Sequence, residues 1–159
     1  MIRAGIIGGS GYTGGELIRL LINHPKVEID FVYSRTKAGK KISGTHADLL
    51  GTSDLAFTDS INPEVDILFL CLGHGNSKSF LSEYSFSSKT KIVDLSNDFR
   101  LMQDASFSGK DFVYGLPELN KNTITSAEYI ANPGCFATCI QLDLLPLADA
   151  KLLNSEVHI

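Results

Sequence analysis

The apolar positions of the chain change period twice within the first thirty-three residues. IRAGII (2–7) is a short apolar run, GGSGYTGG interrupts it, and ELIRLLIN (16–23) places apolar residues densely enough for a helix packed on a sheet. His24-Pro25 ends that pattern, and VEIDFVY (27–33) returns to a strand. Thr13 and Glu16 stand at the spacing of a capping box, which predicts a helix entered through a side-chain cap. Strand, glycine turn, helix and strand make a βαβ unit.

Downstream, residues 34–54 are polar, basic and without sustained periodicity, whereas VDILFLCLG (65–73) is the near-continuous apolar run of a parallel strand covered on both faces. NSKSFLSEYSF (76–86) predicts a short helix and KIVDLS (91–96) a strand, while the turn residues of 96–120 predict irregular loops over a face. EYIAN (128–132) reads as a last short strand, and CFATCIQLDLLPLADA (135–150) as a helix that Pro146 kinks or ends. Together these elements predict an α/β fold over residues 1–150: a Rossmann-type, mostly parallel sheet with helices on both faces. The chain stops inside SEVHI (155–159), an alternating segment that reads as an entering strand. Residues 151–159 are therefore expected to begin a second, α+β domain that is essentially missing from a truncated polypeptide.

Composition narrows the class without naming a chemistry. With 159 residues, 43% of them hydrophobic, the chain can bury one real core. Its net charge of -4 is spread through interspersed acids and bases, which gives no footprint for nucleic acid or a membrane surface. No apolar run approaches transmembrane length, and the first residues lack a secretory h-region, so a cytoplasmic protein is expected. Cys71, Cys135 and Cys139 form neither an even disulfide framework nor paired zinc-ligand spacing, which predicts free thiols and no structural metal.

Two segments carry candidate chemistry. GGSGYTG contains G-x-G-x-x-G at Gly9, Gly11 and Gly14, and equally G-x-x-G-x-x-G from Gly8. Placed between a strand and a helix, it has the context of a dinucleotide fingerprint, where glycines let the backbone approach a pyrophosphate facing helix N-terminal amides. About twenty residues on, where an acid would hold the ribose of NAD, stand Ser34, Arg35 and Lys37; Arg35 suits a 2′-phosphate and favours NADP(H), with Asp30 inside the strand as the reservation. A solvated basic loop is the alternative.

The second segment is NPGCFAT (132–138), which sets Cys135 at a helix start, where amides and dipole favour thiolate. A purely structural cysteine is the alternative there, whereas Cys71 reads as a buried small hydrophobe and Cys139, one helical turn on, as a packing residue or else an accidental oxidation partner. A nicotinamide site paired with a nucleophilic thiol points to an acylating aldehyde dehydrogenase or acyl-phosphate reductase, because a thioester makes hydride transfer at the aldehyde level tractable.

GGSGYTGGEL, LSNDFRL, YGLPEL and NPGCFAT, in that order, resemble the N-acetyl-γ-glutamyl-phosphate reductases, NADPH-dependent enzymes of arginine biosynthesis related to aspartate-semialdehyde dehydrogenase, from residue 5 to about residue 148. The resemblance implies Cys135 as nucleophile and Gly8, Ser10, Gly11, Tyr12, Thr13 and Gly14 around the cofactor, with His74 of LGHGNS near the nicotinamide, a loop-filling role being its alternative. Gly73 stands where the family commonly has proline. Arg100 and Asn132 are expected to meet an anionic acyl-phosphate substrate, an Asp98–Arg100 salt bridge being the alternative; Glu118 either lines the site or is structural. The family's catalytic histidine, much of its substrate pocket and its homo-oligomer interface lie in a second domain, and none of His24, His46, His74 and His158 matches that histidine. Little turnover is therefore expected of these 159 residues alone. A non-catalytic NADP-binding module and a sister reductase of aspartyl or aminoadipyl phosphate remain the competing readings.

Overall fold

The structure, a computed structural model, describes residues 1–153 and 156–158. Strands β1 (Ile2–Ile7), β2 (Val27–Tyr33), β3 (Phe57–Thr58), β4 (Ile67–Leu70), β5 (Lys91–Asp94), β6 (Ser106–Phe107), β7 (Lys110–Tyr114) and β8 (Tyr129–Ala131) form one sheet in the order β3-β2-β1-β4-β5-β8-β7-β6. Every neighbouring pair is parallel except the β6–β7 hairpin. After β3 the chain returns to the other side of β1 to lay down β4, which opens a crevice at the carboxyl ends of β1 and β4.

Strand periodicity sends neighbouring residues to opposite faces, and each face has its own core. Ile6 and Val32 pack with Ile18 of α1 (Tyr12–Leu21), Ile42, Leu49 and Phe57 on one side. Ile7, Phe31 and Tyr33 pack with Leu68, Leu70 and with Phe80 and Leu81 of α2 (Ser77–Glu83) on the other. Helices thus cover both faces, as the apolar pattern predicts. Cys71 is buried with the first core, and that burial, reinforced by the charge of Asp94, pushes its thiol up to about 12.

Two expectations are corrected. Helix α1 begins at Tyr12 behind Gly11, with no side-chain cap, so Thr13 lies inside the helix and Glu16 accepts from Arg19 at 2.9 Å instead of closing a capping box. Segment 96–120 is not wholly irregular, since it holds β6, β7 and the start of α3 (Pro117–Ser126). Its signal is Ser108-Gly109, both with positive φ (50° and 75°), which is the primed two-residue turn of a tight hairpin. The proline of α4 (Cys135–Asp149) does not end the helix, which runs three residues past Pro146. The strand expected at SEVHI falls partly outside the described residues, as Ser155 and Ile159 do.

One buried polar cluster fixes the loops that leave β4 and β5. The Asp98 carboxylate accepts from the amides of Gly75 (2.6 Å), Ser77 (2.9 Å) and Lys78 (3.1 Å), closing the entry to α2 that has no cap of its own. Asp94, wholly buried, accepts from the hydroxyls of Ser77 (2.5 Å) and Ser96 (2.7 Å). Burial pushes Asp94 up despite these hydroxyls. Burial opposes ionisation of Asp98 as well, but the three amides and Ser96 together hold it below the usual carboxylate range.

Asp98→Asn is expected to cost about 1–2 kcal/mol in urea unfolding at pH 7, the worth of charge-assisted bonds to amides. A depressed folded pKa means that this stability is complete above the unfolded value near 4 and is lost as pH falls through the folded value. The gap between the two proteins should therefore narrow below about pH 4, Asp94 being common to both.

Candidate functional site

Four loops stand on the carboxyl edge of the parallel strands: 8–11 after β1, 34–37 after β2, 71–76 after β4 and 95–100 after β5, with 132–134 completing the edge after β8. In the first, Gly8 takes φ +79°, and a Cβ there would lie 2.6 Å from the Cys71 carbonyl oxygen. A Cβ on Gly14 would lie 2.6 Å from both the Gly8 oxygen and the Gly9 Cα. The phasing that the backbone requires is thus Gly8, Gly11 and Gly14: turn, helix entry, and close packing of helix on strand. Gly8 and Gly9 both donate to the Tyr33 carbonyl (3.1 and 3.2 Å), which ties the turn to the tip of β2. Gly11 leads into the uncapped first turn of α1, where the amides of Tyr12, Thr13 and Gly14 have no acceptor one turn back within the helix. Tyr12 is exposed at this entry.

The tip of β2 continues the same surface. Ser34 is buried, with its hydroxyl 3.0 Å from that of Ser10 in the glycine loop. Arg35 donates through Nε to the Tyr33 hydroxyl (2.9 Å) and through Nη2 to Glu83 (2.8 and 2.9 Å) and the Tyr84 hydroxyl (3.2 Å). Tyr84, Tyr33 and Glu83 together hold its guanidinium protonated beyond its usual range. A cavity of about 290 Å³ is lined by Gly8, Ser34, Arg35, Asn76, Ser79 and Glu83, among others. Asp30 lies away from this tip, exposed in mid-strand, where it accepts from Asn62 at 3.2 Å. Lys37 turns aside to donate to Thr45 (3.1 Å).

His74 is exposed on the loop after β4, beside Gly75 at φ +82°. Gly73 has no positive φ and its nearest neighbour to an added Cβ is Asn76 Nδ2 at 3.4 Å, so the loop does not require glycine there. The glycine loop fits a dinucleotide pyrophosphate: the turn leaves no room for side chains at positions 8 and 14, and it leaves backbone donors uncapped at the helix entry.

Cys135 is exposed at the first turn of α4, with Gly134 extended (φ -75°, ψ 151°) ahead of it and no side-chain cap. The backbone leading to it is anchored: Asn132 donates its amide to the Asp94 carbonyl (2.8 Å). Arg100 donates from Nε to the Asn132 carbonyl (2.8 Å) and from Nη2 to the Leu95 carbonyl (3.1 Å). Its Nη1 lies against Gly134, where an added Cβ would come within 2.9 Å. Arg100 therefore stands beside the cysteine-bearing turn and does not pair with Asp98, which is committed to the α2 entry. Asn132 is exposed, its amide group donating to the Pro133 carbonyl at 3.1 Å. Cys139 is exposed one turn beyond Cys135 on the same helix.

Glu118 is exposed and lines a separate groove with Leu119, Leu142 and Leu145, between α3 and α4. None of the residues of α4 is buried, and Phe136, Leu142 and Leu147 are exposed along it.

Two side chains that the sequence did not mark shape the glycine loop and the β2 tip. His46 is buried with Nε2 2.8 Å from the Gly9 carbonyl oxygen, and a Cβ on Gly15 would lie 2.5 Å from its ring. It sits in an aperiodic stretch, where nothing marks it. Glu83 reaches the β2 tip from α2, a contact that only the packing of α2 across the sheet creates.

Residues 3–127 match the family described as semialdehyde dehydrogenase, NAD binding domain. The whole chain is 67% identical to N-acetyl-gamma-glutamyl-phosphate reductase of Flavobacterium johnsoniae, of which it covers 49%, and 58% identical to that of Christiangramia forsetii, of which it covers 48%. It thus spans about half the length of the curated relatives it matches. Among solved structures, aspartate semialdehyde dehydrogenase II complexed with ASA from Vibrio cholerae superposes with TM-score 0.69 at 19% identity, over 94% of this chain and 43% of that one. Aspartate semialdehyde dehydrogenase with NADP from Candida albicans gives 0.61, also at 19% identity, over 94% and 47%. These two share the fold, and the family match over residues 3–127 lands on the glycine loop, the β2 tip and the β4 and β5 loops just described. The chain belongs to the semialdehyde dehydrogenase, NAD binding domain family.

Proposed function

We propose that this chain is the dinucleotide-binding half of an NADPH-dependent N-acyl-γ-glutamyl-phosphate reductase, with residues 1–150 as that domain and residues 151–159 leading into a second one. The observation that carries the reading is the placement of Cys135 on the same strand-end edge as the glycine loop, at the uncapped entry of a 15-residue helix. Four inter-strand steps separate β2 from β8, about 19 Å at the usual sheet spacing, a span that one extended dinucleotide can bridge from the β2 tip toward the thiol. The relatives named as this reductase support the choice of substrate over the aspartyl or aminoadipyl alternatives.

In this reading the amides opening α1 and the glycine turn hold the pyrophosphate, Ser10 and Ser34 line the ribose, and Arg35 takes the 2′-phosphate. His74 borders the nicotinamide end. When bound, NADPH supplies the hydride that brings the captured acyl group to the aldehyde level. Cys135 thiolate attacks the acyl carbon of the acyl phosphate; the new C–S bond forms as the C–O bond to phosphate breaks, and phosphate leaves with that electron pair. The amides of the first turn of α4 stabilise the thiolate and the oxyanion. Arg100, fixed by two backbone carbonyls with Nη1 left beside Gly134, pairs with an anionic group of the substrate, and Asn132 completes that wall. The partners are a small acyl phosphate and, for the whole protein, further copies of itself, in the cytoplasm. Among the described residues no helix is long and apolar enough to cross a membrane.

Titration of the 159-residue chain with NADPH and NADH, followed by nicotinamide fluorescence, is expected to show tighter NADPH binding. Arg35→Ala should weaken NADPH by about one to two orders of magnitude and leave NADH nearly unchanged. Equal loss for both cofactors would remove Arg35 from the 2′-phosphate.

Alkylation separates the reductase from a module that only binds cofactor. At pH 7 Cys71 should stay unlabelled in the folded chain, because it is buried with a thiol pushed up to about 12. Cys135 should react several-fold faster than Cys139, which is also exposed but lacks a helix entry. Equal rates at Cys135 and Cys139, read by peptide mass mapping, would favour the binding-only module.

A further inference from the structure

The charge at the β2 tip is already balanced by the protein itself. Both oxygens of Glu83 lie on Arg35 Nη2, at 2.8 and 2.9 Å, and the two side chains line the same cavity. Glu83 is the last residue of α2, and the next residue is fixed firmly: the Tyr84 ring stacks on Phe80 (4.7 Å between centroids) and meets the Tyr33 ring edge-on (6.3 Å). Tyr33 and Tyr84 also bring their hydroxyls onto Arg35, 3.4 Å from each other. The carboxylate is therefore held at the tip by the same packing that orients the guanidinium. Nε and Nη2 of Arg35 are committed to protein partners, while Nη1 makes no protein hydrogen bond among the described residues.

Two consequences follow from this geometry. A 2′-phosphate arriving at Nη1 meets a guanidinium whose charge is compensated and a carboxylate that repels it. An unphosphorylated ribose finds in Glu83 a hydroxyl acceptor of the kind that the β2 tip lacks in its own sequence, where Ser34, Arg35, Thr36 and Lys37 follow Tyr33. We propose that Glu83 is a specificity-determining residue of the cofactor site, supplied from α2, which narrows the preference for NADPH over NADH that Arg35 alone would impose. This rests on the reading that Arg35 takes the 2′-phosphate, and it adds a second residue of opposite sign that the strand–loop sequence does not contain.

The test is the dissociation constant of NADPH and of NADH for the 159-residue chain, its Glu83→Gln and Arg35→Ala variants and the double variant, with 2′,5′-ADP and 5′-AMP as probes lacking nicotinamide. Thermal melts accompany each to show equal folding. Glu83→Gln keeps the shape of the side chain and is expected to raise the NADPH-to-NADH affinity ratio about two- to fivefold, the range of an exposed charge coupling. The same rise should appear in the ratio of 2′,5′-ADP to 5′-AMP and should shrink when Arg35 is alanine, since much of the effect passes through the guanidinium. An unchanged or lower ratio in Glu83→Gln, with the Arg35→Ala loss intact, overturns the role of Glu83 and leaves the 2′-phosphate assignment standing. Arg35→Ala without effect on NADPH overturns both.

Discussion

The turn at Gly8 is the constraint on which the rest of the site depends. Its positive φ reverses the chain within one residue of β1, and the absence of a side chain lets the Cys71 carbonyl of the neighbouring strand end approach to where a Cβ would stand. That single close contact allows β4 to lie beside β1 right up to the crevice. The Tyr33 carbonyl then receives two amides, from Gly8 and Gly9, which sets the tip of β2 against the same turn. Because three strand ends converge on one glycine, the loops after β1, β2 and β4 share one surface. Any side chain at position 8 would have to open the sheet at its centre, where Ile6, Ile7, Leu68 and Leu70 are all buried.

A second constraint operates at β5. Asp94 and Asp98 are two carboxylates in one polar cluster with opposite fates: burial raises the first, and amides outweigh burial at the second. Asp98 thereby does for α2 what a side-chain cap of its own would do, while the backbone carbonyl of Asp94 accepts from Asn132 and so carries the order of β5 across to the cysteine turn. The cofactor side and the thiol side are connected through these two aspartates as well as through the apolar core that runs from Ile7 and Tyr33 to Phe99 and Ala131.

Much of the fold was legible because period and punctuation agree there. The change from IRAGII to GGSGYTG to ELIRLLIN states a βαβ unit, and the fully apolar VDILFLCLG states a central parallel strand. The β6–β7 hairpin was hidden by its brevity, with two residues in β6 and five in β7, although Ser108-Gly109 carried its turn. The capping box was misleading because Thr13-x-x-Glu16 satisfies the spacing while the glycine loop delivers the helix two residues earlier, with Gly11 at the N-cap. Ser34, Arg35 and the glycines were readable from position relative to β1 and β2. Glu83 and His46 were not, since each acts on the glycine loop or the β2 tip from 37 to 48 residues away in sequence.

The two halves of the site are held by different physics. The glycine loop is boxed in by backbone contacts, by a buried histidine and by cores on both sheet faces, so its shape is set whether or not a ligand is present. The cysteine turn has no such box. Helix α4 contributes no buried residue, and Cys135 keeps its place through three hydrogen bonds at the helix entry: Asn132 to Asp94, and Arg100 to Asn132 and Leu95. Beyond its entry, α4 is tied through the Tyr114 hydroxyl, which donates to Gln141 Oε1 (3.0 Å), while Phe136, Leu142 and Leu147 stay exposed. Local order at the thiol therefore depends on Arg100 as much as on the helix itself, and that gives this arginine a structural duty beside the anion contact its free Nη1 can make. The two duties are compatible because they use different edges of the guanidinium fork, a division that a lysine's single ammonium could not make.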